Sequence, residues 1–278
     1  MLYILIFITI IAITLVAGKI NLFIQFNNQV KELFAQSRNV SNKKFSYLQL
    51  PELPEPVQRY FKHVLKEGQP YINYVRLKHD GKFKSDLNKE WVDIKGEQYF
   101  TTEKPGYIWK GKTAMFVARD MYIADKGRLI ATILSLINVV DEQGEQYDQG
   151  ELLRWLAESV WLPTNLLPSK NLQWAAVDNE TATLNFEYNG LSLFYIVSFN
   201  SLGEIAQMET QRYMDETRLE TWVCKMGSYE EISGMLIPTR AEALWRLKEG
   251  DFSYAKFNVR TIEFNKPKYF KYHGCNDN

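Results

Sequence analysis

The sequence has little cysteine, little histidine and no excess of either charge. Cys224 and Cys275 are the two cysteines in the chain, and they form no C-x-x-C motif of the kind that holds zinc or a redox centre. Lysine and arginine total 33, as do aspartate and glutamate, so no overall field attracts nucleic acid. We therefore predict no metal site and no nucleic-acid partner; whether the two cysteines pair stays open.

Sequence signatures of the common catalytic sites are also absent. The chain contains no G-x-S-x-G, H-E-x-x-H or G-x-G-x-x-G motif, so no catalytic residue and no cofactor is assigned. Gly106–Thr113 matches the phosphate-loop pattern G-x-x-x-x-G-K-T, but bulky side chains fill its interior and a strand pattern follows it. A phosphate loop needs small residues that open a helix, so no nucleotide is predicted.

A long hydrophobic run is present at the N-terminus. Leu2–Ala17 is apolar except for Tyr3, Thr9 and Thr14, and the apolar character continues to Phe26. A helix of about 20 such residues crosses a bilayer. A cleaved signal peptide has basic residues before the apolar run, and none occurs here. We predict a single-pass membrane anchor over residues 1–26, with the side of the membrane left open.

The rest of the chain divides into a connecting region and one large domain. Residues 27–50 contain Val30, Leu33 and Phe34 at helical spacing and then a polar stretch, which predicts an amphipathic stem and a linker. Residues 51–278 show no repeat and no low-complexity segment, and 14% of the whole chain is aromatic, as in many β proteins. We expect one β-rich domain over this range.

Alternating apolar and polar residues, separated by turn signals, predict about eleven strands. These are Tyr71–Lys84, Glu90–Thr101, Tyr107–Lys112, Ala114–Ala124, Leu172–Val177, Thr181–Tyr188, Leu191–Phe199, Glu204–Tyr213, Arg218–Met226, Met235–Leu247 and Ser253–Phe264. Helical patterns occur at Pro54–Lys66, Leu129–Val140 and Leu152–Val160. The order predicts a mainly β (α+β) fold: a large curved antiparallel sheet, half-barrel-like, with an N-terminal helix and a central helical pair as its lid.

Apolar candidates for ligand contact lie on the predicted lid and on a central strand. Leu129, Ile133, Leu136 and Ile137 form the apolar arc of the first lid helix. Leu191–Phe199 is apolar on both faces at its centre, which predicts that both faces are covered and makes Phe194 and Ile196 candidates as well.

Three polar residues are further candidates for ligand contact. His79 shares strand parity with apolar neighbours, which favours a hydrogen-bonded core histidine over a base or ligand contact. Of Arg119 and Asp120, one must face inward, either as a polar spot in a pocket or, as we prefer, in a buried ion pair. Arg154 and Glu158 lie opposite the apolar stripe of their helix and are expected to form an exposed i, i+4 pair.

Three segments carry a family resemblance: Leu53–Phe61, Pro105–Trp109 and Glu151–Pro163. With them, the chain from about Pro51 to Phe264 resembles an uncharacterised bacterial family of domains of unknown function that follow an N-terminal membrane segment. The family implies no activity and no site residues. More distantly, the element order is similar to the half-barrel of bacterial lipoprotein-localisation factors, which enclose acyl chains beneath a helical lid; this likeness concerns fold alone.

Taken together, these patterns favour a membrane-anchored binding module that holds a lipid or other apolar ligand between the sheet and the lid. One alternative is an enzyme that uses an inward cluster of His79 with Asp120 or Arg119. Another is a membrane-tethered scaffold for protein partners.

Overall fold

The computed structural model describes residues 1–37 and 41–270. Three α-helices occur in them: α1 (Leu2–Ala35), α2 (Glu55–Val64) and α3 (Glu145–Ala157). Short 3-10 helices occupy Tyr47–Gln49, Glu158–Trp161 and Pro163–Leu166. The strands are β1 (Tyr74–Phe83), β2 (Val92–Thr101), β3 (Gly106–Lys112), β4 (Phe116–Ile123), β5 (Lys126–Ile133), β6 (Ile137–Gln143), β7 (Leu172–Ala176), β8 (Thr181–Tyr188), β9 (Leu191–Phe199), β10 (Ile205–Tyr213), β11 (Leu219–Ile232), β12 (Met235–Leu247) and β13 (Gly250–Phe264).

All the strands form one open antiparallel sheet. Its order is β6-β5-β4-β3-β2-β1-β13-β12-β11-β10-β9-β8-β7. Successive strands pair as hairpins from β1 to β6 and from β7 to β13, while β6 and β7 form the two edges. In addition, β1 pairs with the last strand, β13, with Val75 opposite Phe264. This pairing joins the first six strands to the last seven, so the sheet is one unit. The predicted fold class, a large antiparallel sheet with helices, is confirmed.

The sheet curls around α3. Gly127 on β5 donates its N–H to Asp148 of α3 over 2.7 Å, while Arg212 on β10 donates to Glu151 of α3 over 3.1 Å. In a flat sheet, eight strand spacings would separate β5 from β10 by about 38 Å. One helix can touch both strands only because the sheet bends into a trough. The main core fills this trough, with Trp155 and Trp161 among its largest buried side chains.

The outer face of the same sheet carries α1. Phe26, Val30 and Leu33 are buried against a separate apolar cluster that includes Tyr99 and Ile108. The earlier turns of α1 are exposed and apolar, and the helix is long and apolar enough to cross a membrane.

The predicted helix Leu129–Val140 is wrong, because this segment forms β5 and β6. Leu129 faces α3 and Ile130 faces α1, so the segment is apolar on both sides and imitates a helical arc. The turn between the strands uses Leu134 and Ser135, both at positive φ, instead of the Asn-Gly pair that signals a hairpin. These two strands raise the count from eleven to thirteen.

Most of the other local predictions are confirmed. The helix at Pro54–Lys66 is confirmed as α2, and the helical segment in the middle of the chain is confirmed as α3 with the 3-10 helix that follows it. The phosphate-loop look-alike is strand β3, as the sequence reasoning required. Leu191–Phe199 is strand β9, but its outer face is uncovered, so the expectation of cover on both sides is wrong.

Candidate ligand-binding site

A cavity of about 340 Å³ lies between the trough of the sheet and α3. This volume is within the range of about 300–1,000 Å³ that is common for small-molecule sites. Many aromatic side chains line it: Phe83, Trp109, Phe116, Tyr147, Trp161, Tyr213, Trp222, Trp245, Phe252, Tyr254 and Phe257. Such a wall favours apolar ligand groups.

One side of the cavity is polar because α3 turns charged residues toward it. Glu151 and Arg154 share one face of α3, and Glu158 continues that face in the next turn. Asp120 from β4 and Arg212 from β10 reach the same place. All five line the cavity, and we call them the charged cluster.

Ion pairs connect the members of the charged cluster. Arg154 binds Asp120 through a short hydrogen bond and donates from Nε to Glu158 over 2.9 Å. Arg212 donates to Glu151 over 3.1 Å. Burying an unpaired charge is costly, and these ion pairs lower that cost for a cluster that lies inside the trough.

Neighbouring neutral and aromatic groups complete these contacts. The Tyr107 hydroxyl donates to Glu151, and the Gln98 amide donates to Glu158 over 2.6 Å. The two guanidinium groups also lie over aromatic rings: Arg154 is 5.0 Å from the Trp109 centroid and Arg212 is 4.5 Å from that of Trp222.

Burial changes the protonation of Glu151. Desolvation and the nearby Asp120 carboxylate raise the pKa of Glu151 to about 8, against the opposing pull of Arg212 and Arg154. A raised pKa favours the protonated, neutral form of this carboxyl group. Burial also raises the pKa of Glu158, against the pull of Arg154. Both shifts reduce the negative charge that the cluster carries.

Two polar atoms of the cluster have no hydrogen-bond partner among the described residues. They are Asp120 Oδ1, an acceptor, and Arg212 Nε, a donor, and both are buried. Gly150 permits the close approach of α3 to this guanidinium, because a Cβ there would lie 3.0 Å from Arg212 Nε. A ligand that both donates and accepts hydrogen bonds could satisfy the two atoms.

His79 lies behind the cavity wall. It is 3% exposed, and its Nε2 accepts a hydrogen bond of 2.7 Å from Trp109 Nε1. Burial lowers the pKa of His79 to about 4, so the ring is neutral at neutral pH and can accept this bond. This is the hydrogen-bonded core histidine that the sequence analysis favoured, and it holds the Trp109 ring of the wall in place.

Arg119 and Asp120 point to opposite faces of β4. Arg119 lies on the outer face and donates to the side-chain oxygens of Gln29 and Gln25 on α1, over 2.9 and 3.0 Å. Asp120 faces inward, where its buried ion pair with Arg154 is also a polar spot in the cavity. The sequence analysis offered a polar spot in a pocket and a buried ion pair as alternatives for the inward residue. Asp120 is both.

The apolar candidates are dispersed. Leu129 lines the cavity, and Ile133 is half-buried near the end of β5. Leu136 and Ile137 are exposed at the β5–β6 turn, and Phe194 and Ile196 are exposed on the outer face of β9. The structure thus brings Asp120 and Leu129 together in the cavity and leaves the other five apolar candidates, which are exposed or half-buried, outside it.

Sequence reasoning missed most of the charged cluster. The pair Arg154–Glu158 forms as expected, but it is buried and not exposed. An inward-facing Arg212 could have been predicted, because it shares strand parity with the buried residues Met208 and Thr210. Cys224 is a free, buried thiol in the cavity wall. Cys275 lies outside the described residues, so its pairing stays untested.

Comparison with known proteins places the chain in a family. The sequence model of a family of unknown function (DUF6544) matches residues 43–257. The chain belongs to this family. The predicted membership of a family of unknown function is confirmed, and the matched range of the DUF6544 family contains the whole cavity wall. No curated protein matches the sequence.

Two solved structures resemble the DUF6544 chain. A LolA superfamily protein from Nitrosomonas europaea is 10% identical, covers 76% of this chain and 92% of its own, and gives a TM-score of 0.43. A domain described as an outer membrane lipoprotein-sorting protein, from Vibrio parahaemolyticus, is 8% identical, covers 69% and 86%, and gives 0.37. Their descriptions agree with the distant likeness of fold to bacterial lipoprotein-localisation factors that the sequence analysis stated.

Proposed function

We propose that this protein is a membrane-anchored binding module for an amphiphilic lipid-like molecule. The apolar part of the ligand lies against the aromatic wall, and its polar end meets the charged cluster. The observation that carries the proposal is a cavity with aromatic and apolar walls that ends at the charged cluster, where one acceptor and one donor have no partner among the described residues.

The cluster also restricts the polar end of the ligand. Because Arg154 and Arg212 are already paired with carboxyl groups of the cluster, a ligand with a large net charge finds no unpaired opposite charge there. An uncharged or zwitterionic end with a hydrogen-bond donor and an acceptor fits Asp120 Oδ1 and Arg212 Nε. Hydroxyl-bearing and amide-bearing lipid groups have this chemistry.

The anchor is the apolar part of α1. Its side chains from Leu2 to Val16 are largely exposed, as expected for a helix that bilayer lipid surrounds. The later residues Phe26, Val30 and Leu33 are buried in the outer core, so the helix is an integral part of the domain. This arrangement supports an uncleaved single-pass anchor.

The enzymatic alternative has less support from the geometry. It required His79 to act with Asp120 or Arg119, but Arg119 lies on the outer face and His79 lies behind Trp109. Neither of these two side chains lines the cavity. A binding role uses the features that do line it.

The test is native mass spectrometry, with solvent extraction, of the full chain purified from membranes in mild detergent. We expect one bound lipid per chain. In the variant Ala243→Phe, the larger ring fills the cavity from β12, and we expect this lipid to be lost. The matched control, Ala175→Phe, places the same ring at an exposed position of β7 and should keep the lipid. An empty wild-type chain, or equal lipid in both variants, would overturn the proposal.

A further inference from the structure

One end of the sheet carries part of the cavity rim. The turns β1–β2, β3–β4, β5–β6 and β12–β13 follow neighbouring strands and lie along this end, since Phe83 pairs with Val92 and Phe116 with Ile133. Phe83, Ser85 and Phe116 at this end line the cavity. We call it the rim end of the sheet.

The helix α1 leaves the domain at the rim end. Gly18 lies against the β5–β6 turn, where a Cβ would come within 2.5 Å of the Ser135 carbonyl oxygen and 2.6 Å of Leu136. At the other end of β5, Ala124 N–H donates to the Gln36 side chain over 3.1 Å. The helix thus runs along β5, and its exposed apolar turns continue past the rim end.

The same turns expose large apolar side chains beside the helix. Leu134 is 62% exposed and Met115, in the β3–β4 turn, is 77% exposed. Leu136, Ile137 and Val139 are exposed beside Leu134. A contiguous apolar group of this kind marks an interaction surface, because scattered single side chains are the ordinary case in soluble proteins.

The β5–β6 turn places an apolar side chain at its tip. Leu134 and Ser135 have φ of 52° and 62°, values that Asn and Gly adopt with less strain. The β4–β5 turn has the same backbone conformation at Ala124 and Asp125, with φ of 54° and 64°. What distinguishes the β5–β6 turn is therefore the large apolar side chain of Leu134 and not its backbone.

The position of Gly18 along α1 indicates how deep the tip of the β5–β6 turn lies relative to the proposed membrane span. A span of about 20 residues that begins at Leu2 ends near residue 21, so Gly18 is in its last turn. Lys19, the first charged residue of the chain, follows at once. The β5–β6 turn therefore lies at the level where the helix passes from hydrocarbon to the polar interface.

We infer that the β5–β6 tip and Met115 insert into the same bilayer that α1 spans, so that the rim end of the cavity opens onto the membrane. The occupant of this surface is lipid, since the apolar group is continuous with the membrane-spanning turns of α1. The inference rests on the proposed anchor. It deepens the binding role, because a lipid can then pass between bilayer and cavity without crossing water.

A depth measurement on the full chain in phosphatidylcholine vesicles tests the inference. The variant Leu134→Cys, in a Cys275→Ser background, carries an environment-sensitive NBD label, while buried Cys224 remains unlabelled. The control label is on Ala124→Cys, an exposed position at the opposite end of β5. We expect the label at 134 to shift to the blue and to be quenched by spin-labelled lipids, as for a group buried about 5–10 Å in the interface. The label at 124 should show neither effect.

Three outcomes would overturn the inference. One is a label at 134 that lipid does not quench and that stays as solvent-exposed as the label at 124. Another is burial of the label at 134 only as chain density in the vesicles rises, which would assign the surface to a second copy. The third is burial only after a soluble protein is added, which would assign it to a protein partner.

A charge variant separates this inference from the proposed function. In Leu134→Asp with Ile137→Asp, both changed side chains are exposed and outside the cavity wall, so lipid bound in detergent should remain at the wild-type level. Exchange of a fluorescent lipid with the surrounding vesicle should slow markedly. Unchanged exchange would contradict the inference alone, whereas an empty wild-type cavity with a buried label at 134 would contradict the proposed function alone.

Discussion

The helices α1 and α3 cover the two faces of the same strands in opposite ways. α1 packs Phe26, Val30 and Leu33 against the outer face as a closed apolar contact. α3 packs its apolar residues into the trough but also buries Glu151 and Arg154, and it leaves a cavity beside them. A closely packed contact and a cavity thus lie on the two faces of one sheet.

Strand alternation makes this division possible. On β3, Ile108 belongs to the outer cluster and Trp109 to the cavity wall. On β4, Arg119 faces outward to neutral amides and Asp120 faces inward to Arg154. Because successive side chains point to opposite faces, one strand can serve both surfaces. On β4, therefore, the outward charge meets amide dipoles and the inward charge meets an opposite charge.

The largest expected effect separates the two arginines. Arg154→Met leaves Asp120 and Glu158 without their shared partner inside the trough, and we expect a loss of about 3–5 kcal/mol in the free energy of unfolding. Arg119→Met removes two hydrogen bonds to amides and should cost about 1–3 kcal/mol. Urea unfolding in detergent measures both. Equal losses in the free energy of unfolding for the two variants would contradict the proposed difference between the two faces.

A pH effect of intermediate size comes from Glu151. Its folded-state pKa of about 8 lies above the ordinary value of 4.5, so the folded chain holds an extra proton between these values. The contribution of this group to stability is full below about pH 4.5 and is lost as the pH rises through 8. In the variant Glu151→Gln, the free energy of unfolding, measured with urea, should fall less between about pH 5 and pH 9 than in the wild type. A variant that keeps the slope of the wild type would show that other groups cause it.

The smallest expected effect concerns β9, where the outer face has no covering helix. Ile196→Thr changes an exposed side chain, and we expect a change within about 0.5 kcal/mol. Val197→Thr puts a hydroxyl group at a fully buried inward position and should cost about 1–3 kcal/mol. Thermal unfolding of the two variants compares them directly. A large loss for Ile196→Thr would mean that some partner covers this face.

The strands could be predicted wherever one face of the strand is exposed to solvent and a turn signal follows it. Asn189-Gly190, with both residues at positive φ, is the hairpin signal that fixed β8 and β9. β5 and β6 failed for the opposite reasons, since β5 is covered on both sides and its turn is Leu-Ser. The β-branched content of Ile130–Val140 was the remaining signal.

The charged cluster was harder to predict than the sheet. Sequence reasoning assigns the charged face of an amphipathic helix to solvent, as it did for Arg154 and Glu158. α3 lies inside a trough, so its charged face is buried as well. Only the curl of the sheet, which depends on the pairing of β1 with β13 across most of the chain, reveals this.

The continuity of α1 has a consequence for how the protein could work in a cell. A single helix of 34 residues contains the apolar span and also the turns that pack into the outer core. The apolar span is therefore joined to the domain by continuous helix. With the proposed anchor in a bilayer, a domain held in this way would stay within a helix length of that membrane, and the proposed binding role would be confined to its surface.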